Sequence, residues 1–351
     1  MANLAQAIRL ALHYGEENLG VTDIFGEDVG APLGGVFTAT QGLKTAWNTP
    51  LDERGIIGTA LGIAYAGGKP VAEIQFCDYI YKVIDLLKLC GNVTWSSAGE
   101  YSVPMVLMTP VGSGIHGSMY HSHSFESIAT HIQGWKIVMP SNPKDAYGLM
   151  LSAIAEPNPV LFLAPKALMR QKGAELIPGE PADERTLHAM IDAPLGDRSD
   201  WTPNWPPVED YRVAIGEAKI ARAGTQLTVV TYGRMLPLSV NAAETLGKEG
   251  LEIEVIDLRT IYPFDLPCVK ASVEKTGRLL VINEDTEVTN FGEHIIRKVL
   301  DEAFYSLEVK PELLAGLDVP GVGLAWGYEQ NSVPQADDVL AAMRRLATER
   351  A

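Results

Sequence analysis

Three short segments bring together residue types that could do chemistry. In Asn48-Thr-Pro-Leu-Asp-Glu-Arg-Gly-Ile-Ile-Gly58 an acidic pair, Asp52 and Glu53, sits in a loop directly before a run of small and apolar residues. A carboxyl in apolar surroundings keeps its proton readily, because desolvation disfavours the charged form. Such a group can share a proton with a heterocyclic nitrogen. The plainer alternative is that the pair caps the following helix, which acidic residues do well. In His116-Gly-Ser-Met-Tyr-His-Ser-His123 three histidines fall within eight residues on a glycine-flanked loop. Their spacing is i, i+5, i+7, unlike the i, i+4 pair of a helical metal site. Zinc would need a further ligand, so acid–base or electrostatic work on a substrate carbonyl fits better; a solvated polar loop is the alternative. Gln75-Phe-Cys-Asp-Tyr79 adds an amide and a hydroxylated ring, a weak signal alone because buried tyrosines commonly just pack.

The elements that must position these residues alternate. Leu4 to Leu12 has apolar residues at helical spacing. Val21–Phe25, Val71–Gln75, Pro104–Thr109, Trp135–Met139 and Pro159–Leu163 read as strands. Helices are expected over Ile56–Tyr65, Tyr79 to about Leu89, and Pro143–Ala155. Continuous apolar strands between helices indicate a buried parallel sheet, with ligands gathering at the carboxyl ends of the strands. From about Gln171 to Asp210 prolines and charges accumulate, as in a linker with an inserted loop. A second α/β unit begins at Tyr211, with strands over 227–232, 251–256 and 278–282 and helices over 238–249 and 291–304. The expected division is residues 1–175, a linker over 176–210, and 211–351. No internal repeat stands out.

The 351 residues suffice for two such domains. Hydrophobic residues make up 46% and charged residues 21%, an ordinary globular composition. With 28 Lys+Arg against 44 Asp+Glu, the net charge of -16 disfavours nucleic acid as a partner. Cys77, Cys90 and Cys268 are scattered, which argues against a disulfide framework or a structural zinc site. No signal peptide or bilayer-spanning run is visible, so a cytoplasmic location is expected.

Gly26-Glu-Asp-Val, Gly34-Gly-Val-Phe37, Asn48-Thr-Pro-Leu51, Ala72-Glu-Ile-Gln-Phe76, Tyr120-His-Ser122, Asp257-Leu-Arg-Thr260 and Pro263 occur here in one order. In that order the sequence resembles the beta subunits of 2-oxo acid dehydrogenases (pyruvate, branched-chain and acetoin) over nearly the whole chain. The resemblance implies an α/β fold of two doubly wound domains: a transketolase-like pyrimidine-binding domain, then a transketolase C-terminal-like domain. It implies thiamine diphosphate as cofactor. Glu53 matches the glutamate that hydrogen-bonds N1′ of the aminopyrimidine and so helps activate the thiazolium C2 carbon. Leu51 and Tyr79 match positions lining the aminopyrimidine pocket, with Gln75 beside them. His121 matches a histidine that assists reductive acylation of a lipoyl group.

Glu156 and Asn158 fall in a loop that in the family helps hold a monovalent cation, K+ being the expectation. Glu156 stands where a shorter Asp is familiar, and Val106 where a hydroxyl can help. The family's Gly-Asp-Gly for diphosphate and Mg2+ is absent, so an alpha subunit must supply it. An α2β2 heterotetramer follows, with a lipoyl-bearing acyltransferase and a small 2-oxo acid as further partners. Asn283 and Asn290 depart from the common His and Gly. Asp78-Tyr79-Ile80 resembles branched-chain members, and Tyr81-Lys-Val-Ile-Asp85 some pyruvate members; branched-chain 2-oxo acids are favoured. The alternatives are a pyruvate or acetoin subunit, a split transketolase or deoxyxylulose-phosphate synthase, a non-catalytic scaffold, and a metal-binding module. The 114–123 loop has no basic residue for a sugar phosphate, and Glu53 is present where a scaffold would have lost it.

Overall fold

A computed structural model describes residues 1–198 and 200–350. Ser199 and Ala351, inside the expected linker and second domain, lie outside the described residues. The chain divides into two compact units: 1–110 with 132–164 and 168–215, and 111–131 with 165–167 and 216–351.

The first unit's strands are β1 (Asp23–Gly26), β2 (Ala46–Asn48), β3 (Pro70–Glu73), β4 (Val106–Val111), β5 (Lys136–Val138) and β6 (Val160–Pro165). They lie in the order β5-β6-β4-β3-β1-β2. The pairs β1–β2, β1–β3, β3–β4 and β5–β6 run parallel, with Ile24 opposite Ala46 and Val71, and Ala72 opposite Leu107. Every residue of β3, β4 and β6 is buried, as a sheet covered on both faces requires. The helices are α1 (Leu4–Tyr14), α2 (Glu53–Tyr65), α3 (Ile84–Ser96), α4 (Glu126–Thr130), α5 (Pro143–Ala155) and α6 (Glu184–Ile191), of which α4 belongs to the second unit. Helix α1 opens on a capping box between Asn3 and Gln6, and α5 on Asn142 with Pro143 in its first turn.

Three expectations are corrected. The segment 176–210 is more than a linker. Leu187 and Ile191 of α6 are fully buried in the core built on α1 and α5. Buried Arg9 of α1 donates to the Ile191 carbonyl at 2.6 Å and to Asp192 at 2.8 Å. The second unit begins at Gly216 rather than Tyr211, and the histidine loop clusters with it rather than with residues 1–175. The helix expected from Tyr79 is a tight turn over Cys77–Val83, and α3 starts at Ile84.

The second unit carries β7 (Lys219–Arg222), β8 (Leu227–Thr231), β9 (Ile253–Asp257), β10 (Thr260–Tyr262), β11 (Leu279–Thr286) and β12 (Glu312–Gly316). Its sheet runs β12-β11-β8-β9-β7; β7 pairs antiparallel with β9, whereas β8–β9, β8–β11 and β11–β12 are parallel. Its remaining helices are α7 (Met235–Gly247), α8 (Leu266–Thr276), α9 (Phe291–Ala303), α10 (Trp326–Ser332) and α11 (Ala336–Thr348). Leu227, Val229, Ile253, Val255, Leu280 and Ile282 form its core with α7 and α11.

Candidate active site

At the carboxyl ends of β1 and β3 acidic side chains gather in a cluster. Gly26 lets β1 approach closely there, for a Cβ on it would fall 2.5 Å from the Glu73 carbonyl oxygen. The close approach sets Glu27 and Asp28 beside Glu73. Glu73 is buried, and burial, with the nearby Asp28 and Glu27 charges, pushes its carboxyl up to about 8. Glu27 is raised in turn by its own burial and then by Glu53 and Asp28, and its Oε1 has no hydrogen-bond partner among the described residues. Gln75 donates to Asp28 at 2.5 Å. Glu53 is itself buried, as the first residue of α2, with Asp52 as the preceding cap residue but making no side-chain cap bond. The acidic pair therefore divides its labour: Asp52 is exposed and Glu53 points inward.

The cation meeting this pocket is Lys82, whose ammonium lies 2.7 Å from Glu53 Oε2. Nothing in the motif reading singled it out. Tyr79, on the same turn, packs edge-on to Phe76 with ring centroids 6.1 Å apart. Its hydroxyl is raised by burial and then by the acids around it, Asp78, Glu27 and Glu53. Leu51 is 79% exposed. The structure thus brings together Glu53, Gln75 and Tyr79 around these acids, while Leu51 is exposed. An orphaned acidic oxygen, a carboxyl held at about 8 and an aromatic wall fit a cationic, proton-sharing heterocycle such as an aminopyrimidine.

The histidine loop follows β4. His121 is half-buried, its Nδ1 3.2 Å from the Gly117 carbonyl. His116 Nδ1 lies 2.7 Å from Oε2 of Glu329 on α10, a carboxylate that is 1% exposed. The Gly114 amide donates to the other oxygen of Glu329, and the Trp326 ring stands 5.2 Å from the His116 ring. Gly114, His116 and Ser118 all have positive φ (101°, 56° and 62°), a backbone that only Gly adopts freely and that the Gly114 amide bond to Glu329 helps hold, while the other Glu329 oxygen, facing His116, has no hydrogen-bond partner among the described residues. Glu329, far off in sequence, carried no motif. Among the described residues no group of three or more His, Cys, Asp or Glu side chains is placed to hold a metal ion, so the metal-module alternative gains no support.

Glu156 and Asn158 are brought together, but with their oxygens engaged. Glu156 Oε2 pairs with Lys136 at 2.6 Å, Oε1 accepts from Asn158 at 3.1 Å, and Asn158 Oδ1 accepts from Thr94 at 2.8 Å. As arranged, this donor set does not fit a monovalent cation, because a lysine already meets the charge. The two departures in the second unit explain each other. Asn283 and Asn290, both buried, exchange reciprocal amide bonds of 2.7 and 2.8 Å, and Asn290 also caps α9 through the Gly292 amide at 2.7 Å. Amide against amide satisfies four polar groups in a dry site.

Residues 2–172 match the transketolase pyrimidine binding domain and residues 216–339 the transketolase C-terminal domain. A solved split-gene transketolase, described as an inactive beta4 tetramer, shares the fold with a TM-score of 0.72 at 16% identity, covering 100% of both chains. The two domain matches and the shared fold define a transketolase-like two-domain architecture. Among sequence relatives, the 2-oxoisovalerate dehydrogenase subunit beta of Bacillus subtilis is 35% identical, covering 97% of each chain. That of Pseudomonas aeruginosa is 38% identical, covering 90% of this chain and 87% of its own. The pyruvate dehydrogenase E1 component subunit beta of Bacillus subtilis is 36% identical over 98% of each. The chain belongs to the family of 2-oxo acid dehydrogenase beta subunits. Identities this similar do not separate its branched-chain from its pyruvate branch. No helix among the described residues is long and apolar enough to cross a membrane.

Proposed function

We propose that this chain is the beta subunit of the decarboxylating component of a 2-oxo acid dehydrogenase, active with an alpha subunit in an α2β2 heterotetramer. The observation that carries the reading is the setting of Glu53: a buried carboxyl at the start of α2, in a pocket of acids met by Lys82. Thiamine diphosphate, when bound, supplies the electron sink that lets a 2-oxo acid lose carbon dioxide. Glu53 holds a proton at N1′ of the aminopyrimidine. Tyr79 and Leu51 would line the aminopyrimidine, and Gln75, which donates to Asp28, would help hold the acidic side chains that meet it.

His121 serves the later step, in which the acyl group passes to a lipoyl sulfur, by hydrogen bonding at the acyl centre. Exposed Leu51 supports a second chain closing the pocket, and that chain supplies the ligands for Mg2+ and the diphosphate. Potassium would have to displace Lys136 from Glu156. Branched-chain 2-oxo acids are the favoured substrates, on the strength of Asp78-Tyr79-Ile80, and the cytoplasm is the expected location.

Coexpression with an alpha subunit tests the reading. A complex of about four chains should form, bind thiamine diphosphate with Mg2+, and turn over branched-chain 2-oxo acids faster than pyruvate. Tight cofactor binding and decarboxylation by the isolated chain would sink the split-site reading.

A further inference from the structure

Lys82 touches the residue on which the chemistry turns, yet the proposed function assigns it nothing. The pair is lopsided: the Lys82 side chain is 55% exposed and the Glu53 side chain 4%, with 2.7 Å between ammonium and carboxylate. A solvent-facing cation therefore reaches a buried acid. Its setting holds it there. The ammonium also lies 5.9 Å from the Tyr79 ring centroid. Arg54 of α2 donates to the Lys82 carbonyl at 3.3 Å while forked onto Asp85 at 2.6 and 2.9 Å. The start of α2 and the turn that bears Lys82 are thus joined beside the pair.

The charged and titratable groups facing Glu53 are Glu27 from the end of β1, and Tyr79 and Lys82 from the turn. Asp28 and Glu73 stand beside Glu27 in the same cluster. On Glu27, the Glu53 charge raises the carboxyl and the Lys82 ammonium lowers it, so Lys82 is the one group among these that offsets the crowding of acids.

We propose that Lys82 is a positioning residue for Glu53: its ammonium competes with the aminopyrimidine N1′ for the buried carboxylate, so that cofactor binding displaces the lysine and draws a proton onto the Glu53–N1′ pair. The idea rests on the reading of Glu53 as the N1′ partner. No covalent bond changes. The proton comes from the buffer and ends between Glu53 Oε2 and N1′, while Lys82 stays an ammonium and swings on its flexible stem into water.

The test is calorimetry of thiamine diphosphate with Mg2+ binding to the coexpressed alpha–beta complex, in buffers of different ionisation enthalpy, which counts protons taken up. The wild type should take up about one proton per site more than Glu53→Gln, the difference expected when one group changes its protonation on binding. Lys82→Met, which keeps the stem and removes the charge, should lose most of that excess and bind the cofactor no more weakly. Lys82→Arg should keep it. Uptake by Lys82→Met equal to the wild type, with Glu53→Gln still lower, would overturn the role of Lys82 and leave Glu53 standing. Loss of uptake in Lys82→Arg as great as in Lys82→Met would also overturn it, since a cation would then not suffice. Equal uptake by the wild type and Glu53→Gln would instead remove the Glu53 reading itself.

Discussion

The acidic pocket and the histidine loop both sit where strands end, and both are built around buried carboxylates, but they differ in what surrounds those carboxylates. In the pocket, Glu27, Asp28, Glu53 and Glu73 crowd together. Burial pushes Glu73 up to about 8 and raises Glu27, one of whose oxygens lacks a partner among the described residues. In the loop, Glu329 is as deeply buried and one of its oxygens likewise lacks a hydrogen-bond partner among the described residues, but the other accepts the Gly114 amide and a histidine, His116, faces the carboxylate. A buried acid left under-compensated costs folding energy, and a site that retains several is shaped for something that binds there. A buried acid that accepts a backbone amide also helps hold that backbone in place. The first region sets acid against acid with Lys82 at its rim, whereas the second sets an acid against an amide and an imidazole.

The sharpest way to break this contrast is Glu53→Gln. Gln is nearly isosteric and can still hydrogen-bond, but it cannot carry the proton. Hydrogen–deuterium exchange at cofactor C2 in the reconstituted complex should slow by roughly 10³-fold, in the range of a lost acid–base group, with the fold and assembly intact. Asp52→Asn, whose side chain faces solvent, should be far milder. Wild-type exchange in the Glu53 variant would remove it from cofactor activation. His121→Ala asks the same of the loop. Full-complex turnover should fall roughly 10²-fold, and decarboxylation followed with an artificial electron acceptor should fall less. Equal loss in both assays would move His121 from acyl transfer to cofactor activation.

A subtler effect is expected on stability. Glu73 is fully buried and its folded-state carboxyl is raised to about 8 from an ordinary 4.5. The folded state therefore binds this proton more tightly than the unfolded chain does. The contribution is fully present below about 4.5, is eroded as pH rises, and is lost once pH passes 8, a change of a few kcal/mol. Thermal unfolding of Glu73→Gln should accordingly decline less between pH 5 and pH 8 than that of the wild type. Parallel declines would show that Glu73 does not hold its proton, and the pocket would be less starved of positive charge than it looks.

What could be read from the sequence divides along the same line. The alternation of apolar strands with helices is a local signal carried by contiguous patterns, whereas the two transketolase-like domains and the choice of Glu53 over Asp52 come from the resemblance of ordered motifs, since the acidic pair alone reads equally well as a helix cap. The partners that complete the sites are not local. Glu329 lies more than 200 residues beyond Gly114, whose amide it accepts, and nothing in the sequence around it marks it. Asn283 and Asn290 each look like a loss taken singly, and only their reciprocal bonds show that one accommodates the other. Lys82 hid inside a segment expected to be helix, where a lysine is an ordinary surface residue. Helix α6 was lost in a stretch of prolines and charges because just two of its residues, Leu187 and Ile191, are buried.

Glu156 offers the finest test of the contrast, because it can be asked which kind of carboxylate it is. If it resembles the pocket acids, it sits among other carboxylates; if it resembles Glu329, the groups that face it come from its own surroundings. The geometry favours the second. Lys136 stands 2.6 Å away, with side chains 34% and 15% exposed, and Asn158 donates to the other oxygen. Val106, where a hydroxyl could have served as a further ligand, is an apolar residue buried in β4. An ion would have to displace an ammonium from a partly buried pair and would gain few oxygens in return. Exchanging K+ for choline at constant ionic strength should therefore shift the thermal midpoint of the wild type by less than about 1 °C, well below the ~2–4 °C that corresponds to 1 kcal/mol in chains of somewhat smaller size. Lys136→Met uncovers the carboxylate. It should cost about 1 kcal/mol or less, as a partly solvated ion pair does, and K+ should then restore part of the loss. A wild type that K+ stabilises by several degrees, with Lys136→Met no more dependent on it, would mean that Glu156 takes a metal ion in preference to its lysine.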